Sequence, residues 1–379
     1  MAKQNITSDF YYNRTMDPVI YNQFKEGGQY HWMIQYVKDH PELDFQTGSN
    51  KNNSWFSVYR GTSKIIKIEK SGKSKISYEK KYYDLCPEYY EDITKSVYLN
   101  TLLDKLKADP NLSRYYGNES TGKKAEGYYQ NLIARRYTFL NKPDDDFIII
   151  DKEFVIGIRN EVTKKRILDK IDAELKNLLE NEFRPSLKSL RKNVATTYGE
   201  VDFLGLTWDG DLIIIELKGD DPQKIFTSPI QVGFYQRLLT QVLEDYPDLY
   251  KNIASMLKQK VSLGLVTIPE GRSIPKSLSG KIKSWVIVGE EENLYVPPST
   301  ALAGKIYGTL MSQVVAGKKF GGLNEVESVR FDLKRSEISE LERMGLVPMV
   351  NEYSKVMAFS AKTLFNGDNL GLQTYSVVR

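Results

Sequence analysis

The stretch that most constrains the fold is GEVDFLGLTWDGDLIIIELKG, residues 199–219. Two runs rich in Val, Phe, Leu and Ile flank Trp208-Asp209-Gly210, the pattern of two buried strands joined by a tight turn. Asp202 interrupts the first run, and Glu216 and Lys218 close the second. Buried charge is costly unless it is paired or coordinated, so these three residues need a reason to be there. Side chains alternate along a strand, which puts Glu216 and Lys218 on one face. A two-residue Asp209-Gly210 turn would pair Asp202 with Leu217 and send it to the other face. A three-residue Trp208-Asp209-Gly210 loop pairs Asp202 with Glu216 and wants glycine in the left-handed third position, where Gly210 stands. The odd-length loop is therefore expected, with Asp202, Glu216 and Lys218 converging.

Two carboxylates and an ammonium at one place in a sheet suit a hard divalent cation, which neutralises the carboxylates and keeps positions open for water or phosphate. The rest of the chain narrows the choice of metal. There is one cysteine, Cys86, and there are two histidines, His31 and His40. That excludes a disulfide framework and a Cys/His zinc site within one chain, and makes a His-based triad a poor fit. A metal here is held by oxygen, which favours Mg²⁺ or Mn²⁺ over zinc.

At 379 residues the chain has room for two or three domains. It is 41% hydrophobic and 27% charged, the composition of a soluble globular protein. No apolar run approaches the roughly 18 residues of a membrane helix, and MAKQNITSDFYYNR has no apolar signal core. A cytoplasmic protein without a membrane partner is expected. The net charge of +4 is mildly basic. The 25 tyrosines often stand beside lysines, as in ISYEKKYYDLCPEYY, a pairing that suits polyanions as well as it suits a Lys- and Tyr-rich background.

Along the chain, GQYHWMIQYVKDHPEL has helical spacing and stops near Pro41. Residues 54–82 read as a short lysine-studded meander, with turns at Arg60-Gly61-Thr62 and Ser71-Gly72-Lys73. Val97, Leu99, Leu102, Leu103 and Leu106 form the stripe of a helix. Beyond a loose stretch near 118, AEGYYQNLIARRYTFL reads as helix, DFIIIDKEFVIGI as strand, and 161–182 as a long charged helix broken by Pro185. Ser228-Pro229 makes an N-cap and first helical residue. SWVIVGEEE near 284 is a further strand, and a helix is expected over 300–315, closed by Gly317. The expected domains are an α+β N-terminal region at 1–118, a core at 119–300, and a small α/β extension at 301–379. No nucleotide-binding loop is present.

Asp202 followed by Glu216-Leu217-Lys218 resembles the D…(D/E)xK pattern of the PD-(D/E)xK nuclease superfamily, with Val201 where proline often stands. Gln231 and Tyr235 in SPIQVGFYQRL match the QxxxY pattern of its RecB-like members, and i and i+4 share a helical face. The resemblance covers about residues 119–290. It implies a restriction-endonuclease-like αβββαβ core, a mixed central sheet flanked by helices, with the helix at 161–182 as an insertion. It implies that Asp202, Glu216 and the Leu217 carbonyl ligate Mg²⁺, with Mn²⁺ able to substitute, and that Lys218 orients the attacking water. The remaining family carboxylate is expected on the preceding helix at Glu126, which shares a face with Gln130 and Ile133, with Glu153 and Glu200 as competitors. Gln231 and Tyr235 would support the site.

The expected function is thus a metal-dependent nuclease hydrolysing phosphodiester bonds, most readily in DNA, in defence, mobile-element or repair work. The alternatives are an RNA-directed nuclease and a catalytically idle nuclease-like module that binds nucleic acid or protein. A homodimer or a recruiting protein partner is compatible with either. Asp220 and Asp221, ahead of Pro222, are expected in an exposed loop. Arg135, Arg136 and Lys164-Lys165-Arg166 are candidate phosphate contacts, although a solvated helix face is the better reading of such runs.

Overall fold

A computed structural model describes residues 9–49, 53–71, 73–77, 80–89, 95–109, 111–113, 116–117, 125–182, 200–218, 228–290 and 357–360. The first elements are β1 (Phe10–Tyr11), α1 (Pro18–Phe24), α2 (His31–Asp39), β2 (Leu43–Ser49), β3 (Ser54–Arg60), β4 (Ser63–Ser71) and β5 (Lys73–Ser77). The short α3 (Lys80–Tyr83), α4 (Ser96–Ala108), α5 (Glu126–Arg136), β6 (Phe147–Phe154), β7 (Gly157–Ile158) and α6 (Glu161–Glu182) follow. Then come β8 (Val201–Thr207), β9 (Leu212–Lys218), α7 (Ser228–Asp245), α8 (Leu249–Ser262), β10 (Ile282–Glu290) and β11 (Met357–Ser360). The mixed α/β class expected from the sequence is what the structure shows. The expected helix at 300–315, the break at Pro185 and the Asp220-Asp221 loop lie outside the described residues.

The chain divides into two compact units, each assembled from separated segments. One comprises Asn13–Lys152 and Tyr250–Ile274. Its centre is the antiparallel sheet β2-β3-β4-β5. Period-two alternation sends Phe56 and Val58 of β3, and Ile66 and Ile68 of β4, into the core with Ile20, Phe24, Met33 and Leu99. The Phe24 ring stacks on Phe56 at 3.9 Å between centroids. The other face of β3 is also covered, because Ser57 and Tyr59 are buried. Helix α1 starts where the Asp17 side chain accepts a hydrogen bond from the Val19 amide, one residue before Pro18.

The second unit comprises residues 1–12, Glu153–Leu249 and 275–379. In it β11, β10, β9 and β8 lie side by side in that order. β9 runs antiparallel to β8 and parallel to β10, and β11 joins β10 in parallel. Because β9 has a strand on each side and both faces covered, its sequence is apolar up to Lys218 except at Glu216, with Leu212, Ile213, Ile214, Ile215 and Leu217 fully buried. Helix α7 packs on β9 and β10, and α6 packs on α7. β1 pairs antiparallel with β7.

Candidate functional site

The β8–β9 hairpin carries the charges that the sequence singles out. Its register is Phe203↔Ile215, Leu204↔Ile214, Gly205↔Ile213 and Leu206↔Leu212. Thr207 donates its amide to the Asp211 carbonyl at 2.9 Å, and Gly210 donates to the Thr207 carbonyl at 3.1 Å. The loop is therefore Trp208-Asp209-Gly210, the odd-length form, with Gly210 at φ +90°. A Cβ on Gly210 would also stand 2.5 Å from the Ser277 carbonyl oxygen, so both conformation and space reserve this position for glycine.

The loop is tied to the segment leading into β10. Ser279 donates its amide to the Gly210 carbonyl at 3.0 Å, and its hydroxyl to Asp211 Oδ1 at 2.6 Å. Lys283 Nζ lies 3.0 Å from Asp211 Oδ2. Burial pushes the Asp211 carboxyl up, but hydrogen bonds from Ser279 and Lys283, with the charges of Lys283 and Lys281, outweigh it and hold the group below its ordinary value.

The register continues to Asp202 opposite Glu216, on the face that also carries Leu204 and Ile214. Asp202 Oδ2 accepts the Leu217 amide at 2.6 Å. The paired ladder ends at Phe203↔Ile215, so a carboxylate binds the amide just beyond the last paired residues. Glu216 is buried at 3% exposure, and Leu217 is fully buried. Tyr235 of α7 is buried as well, shares a small apolar pocket with Ile214, Val201 and Leu238, and donates its hydroxyl to the Glu200 carbonyl at 3.2 Å. The side chains of Lys218 and Gln231 lie outside the described residues.

Glu126 opens α5 and belongs to the other unit, so it is not a member of the unit that holds Asp202 and Glu216. Of its competitors, Glu200 is exposed, and Glu153 stands at φ +50° within β6. Among the described residues no group of three or more His, Cys, Asp or Glu side chains is arranged to hold a metal ion.

Arg135 and Arg136 are neither phosphate contacts on a surface nor a solvated face, since both are buried. Arg135 donates to the carbonyls of Val37, Lys38, His40 and Leu43 at 2.8–3.1 Å, so one guanidinium closes the C-terminal end of α2 and the turn after it. Burial pulls its pKa down. Arg136 grips Asp145 with two nitrogens, at 2.6 Å each. The physical reason is packing: the apolar stripe of α5 faces the interior and carries its two arginines with it. Sequence spacing alone does not signal which carbonyls they find.

A family model described as "Type VI secretion system TssC/VipB, central domain" matches residues 277–366. No curated protein and no solved structure matches the chain. The match corrects the expectation raised by the D…ExK and QxxxY patterns. The family it points to is a sheath component and not a nuclease, so the nuclease assignment, the hydrolase activity and the nucleic-acid partner are withdrawn, as are the RNA-directed and idle-module alternatives. The hairpin has a structural explanation for part of its charge, because Asp202 binds the Leu217 amide and Asp211 anchors the loop to Ser279 and Lys283. Within the matched segment, the described residues 277–290 and 357–360 supply β10, β11 and the backbone that seats Gly210.

Proposed function

We propose that this chain is a structural, non-enzymatic subunit of a type VI secretion sheath, joining the assembly through its TssC/VipB-like segment. The observation that carries the reading is the match over 277–366, supported by how that segment enters the fold. Its first described residues hydrogen-bond the hairpin loop, and its strands extend the sheet from β9 through β10 to β11. A segment built into a sheet in this way transmits load through backbone hydrogen bonds. The partner that the reading names is a TssB-type subunit. The test is co-expression with TssB followed by sedimentation and electron microscopy. Large assemblies containing both proteins are expected from the intact chain. A variant in which a flexible linker replaces residues 291–356 should still unfold cooperatively and lose co-sedimentation. Failure of the intact chain to associate with TssB removes the reading.

The expected cation belongs to the same proposal in reduced form. Asp202 and Glu216, facing each other across β8 and β9, with the Leu217 carbonyl, would hold one Mg²⁺ as a structural ion. Mn²⁺ titration of the intact chain by calorimetry, against Glu216→Gln, decides it. No heat with the intact chain ends the proposal.

A further inference from the structure

A second polar centre lies within the unit formed by Asn13–Lys152 and Tyr250–Ile274. It forms where the apolar run of β6 ends in Asp151-Lys152 and meets Asp44 of β2, Arg14 ahead of α1 and Lys260 of α8. Arg14 Nε donates to Asp151 Oδ2 at 3.0 Å. Lys152 Nζ lies 2.9 Å from Asp44 Oδ2 and 4.3 Å from the centre of the Tyr59 ring. Asp44, Asp151 and Lys152 are 3%, 1% and 4% exposed. The half-buried Lys260 donates to the Ile150 carbonyl at 2.6 Å.

Three cations meet two carboxylates here, and each carboxylate already faces its own cation. The surplus positive charge therefore falls at Lys260. An ammonium drawn out of water beside a carbonyl, with Asp151 and Asp44 near it but each already paired to another cation, is costly, and it either gives up its proton or gains a counter-ion. Burial does push its pKa down, against the pull of Asp151, with Arg14 adding to the downward push. Asp44, Gln46, Thr47, Asp151, Lys152 and Lys260 line a cavity of about 20 Å³. That is room for one water-sized occupant and too little for a phosphate.

We infer that this cavity binds a single small monovalent anion, of the class of chloride or bromide, with Lys260 as its charge partner and the Arg14–Asp151 and Lys152–Asp44 pairs as its frame. The anion restores neutrality where the side chains leave one positive charge over. A ligand that binds only the folded chain raises its melting temperature in a saturable way.

The experiment is thermal unfolding of the intact chain at fixed ionic strength, with chloride or bromide exchanged for gluconate. A saturable rise of about 2–4 °C with chloride and with bromide is expected. It should be absent in Lys260→Met. Because that variant could fail to fold, bromide soaked into crystals of the unaltered chain gives an independent reading by anomalous scattering. A bromide peak in the cavity beside Lys260 Nζ supports the site. A cavity that holds only water, or an anion response that survives in a folded Lys260→Met chain, overturns it.

Discussion

Asp202 and Asp211 show two ways for a charge to live in a buried hairpin. Asp202 spends one oxygen on the Leu217 amide, so its removal leaves a buried donor to find another partner. Asp202→Ala is expected to cost about 1–3 kcal/mol and to raise the exchange rate of the Leu217 amide in native-state hydrogen exchange. Asp202→Asn, which keeps an accepting oxygen, should retain most of that protection. Unchanged exchange in the alanine variant would show that this bond does not hold the strand end. Asp211 makes a pH prediction. Its folded pKa lies below the ordinary value of 3.8, so its contribution is complete above that value and is lost as pH falls through the lower, folded one. The stability difference between the unaltered chain and Asp211→Asn should be constant above about pH 5 and shrink below the ordinary carboxylate value. Urea titrations at several pH values check it, and a gap that widens on acidification would refute the sign.

At the scale of elements, Arg135 joins two pieces that sequence reasoning treats separately. Four carbonyls at and after the end of α2 converge on one side chain of α5. Arg135→Ala should lower stability by about 3 kcal/mol or more, seen as a drop in the urea midpoint, and Arg135→Lys should recover little, because a point charge cannot serve four acceptors at once. Elements with strong local rules were legible. The odd loop follows from Gly210, the start of α7 from Ser228-Pro229, and α6 from a continuous helical pattern. Helices α1 and α8 were not read from the sequence, although the Asp17-Pro18 start of the one and the spacing of Leu249, Ile253, Met256 and Leu257 in the other are local signals of the same kind. The ion pairs were not legible. Asp44 and Lys152, or Arg14 and Asp151, lie more than a hundred residues apart in sequence, and only the tertiary fold brings them together. The same blindness misled the reading of Arg135 and Arg136, because a charge on a helix looks identical on paper whether it faces water or a ring of carbonyls.

At the scale of the whole molecule, the two units are threaded through each other in sequence. The unit containing the β2-β3-β4-β5 sheet is completed by Tyr250–Ile274, which arrives only after the chain has built much of the other unit. That late segment is integral. Gln259 exchanges hydrogen bonds with both backbone groups of Met16, Lys260 reaches Ile150, and Leu263 and Leu265 join the core. A fragment of residues 13–152 alone is therefore expected to lack a cooperative thermal transition, and addition of residues 250–274 through a flexible linker should restore it. Cooperative unfolding of the shorter fragment would show that α8 is dispensable. The odd-length loop of the hairpin was legible, and the function read from its charges was misleading. The pattern of a few charged residues on a hairpin is short enough to arise for structural reasons, whereas the family match draws on ninety consecutive positions, 277–366.

The pairing of β10 with β11 also sets the order in which the molecule can be made. Glu290 ends one strand and Met357 begins its neighbour, and in the register Ile287↔Met357 to Glu290↔Ser360 the outer flank of β10 is, among the described residues, covered by residues synthesised about seventy positions later. At translation rates of roughly 5–20 residues per second, that flank waits several seconds on the ribosome for β11. Its amides and carbonyls then present an unsatisfied template to any extended chain nearby. The interval is a window in which the nascent protein is open to chaperones, to a partner subunit or to self-association, and it closes when residue 360 emerges and β11 docks.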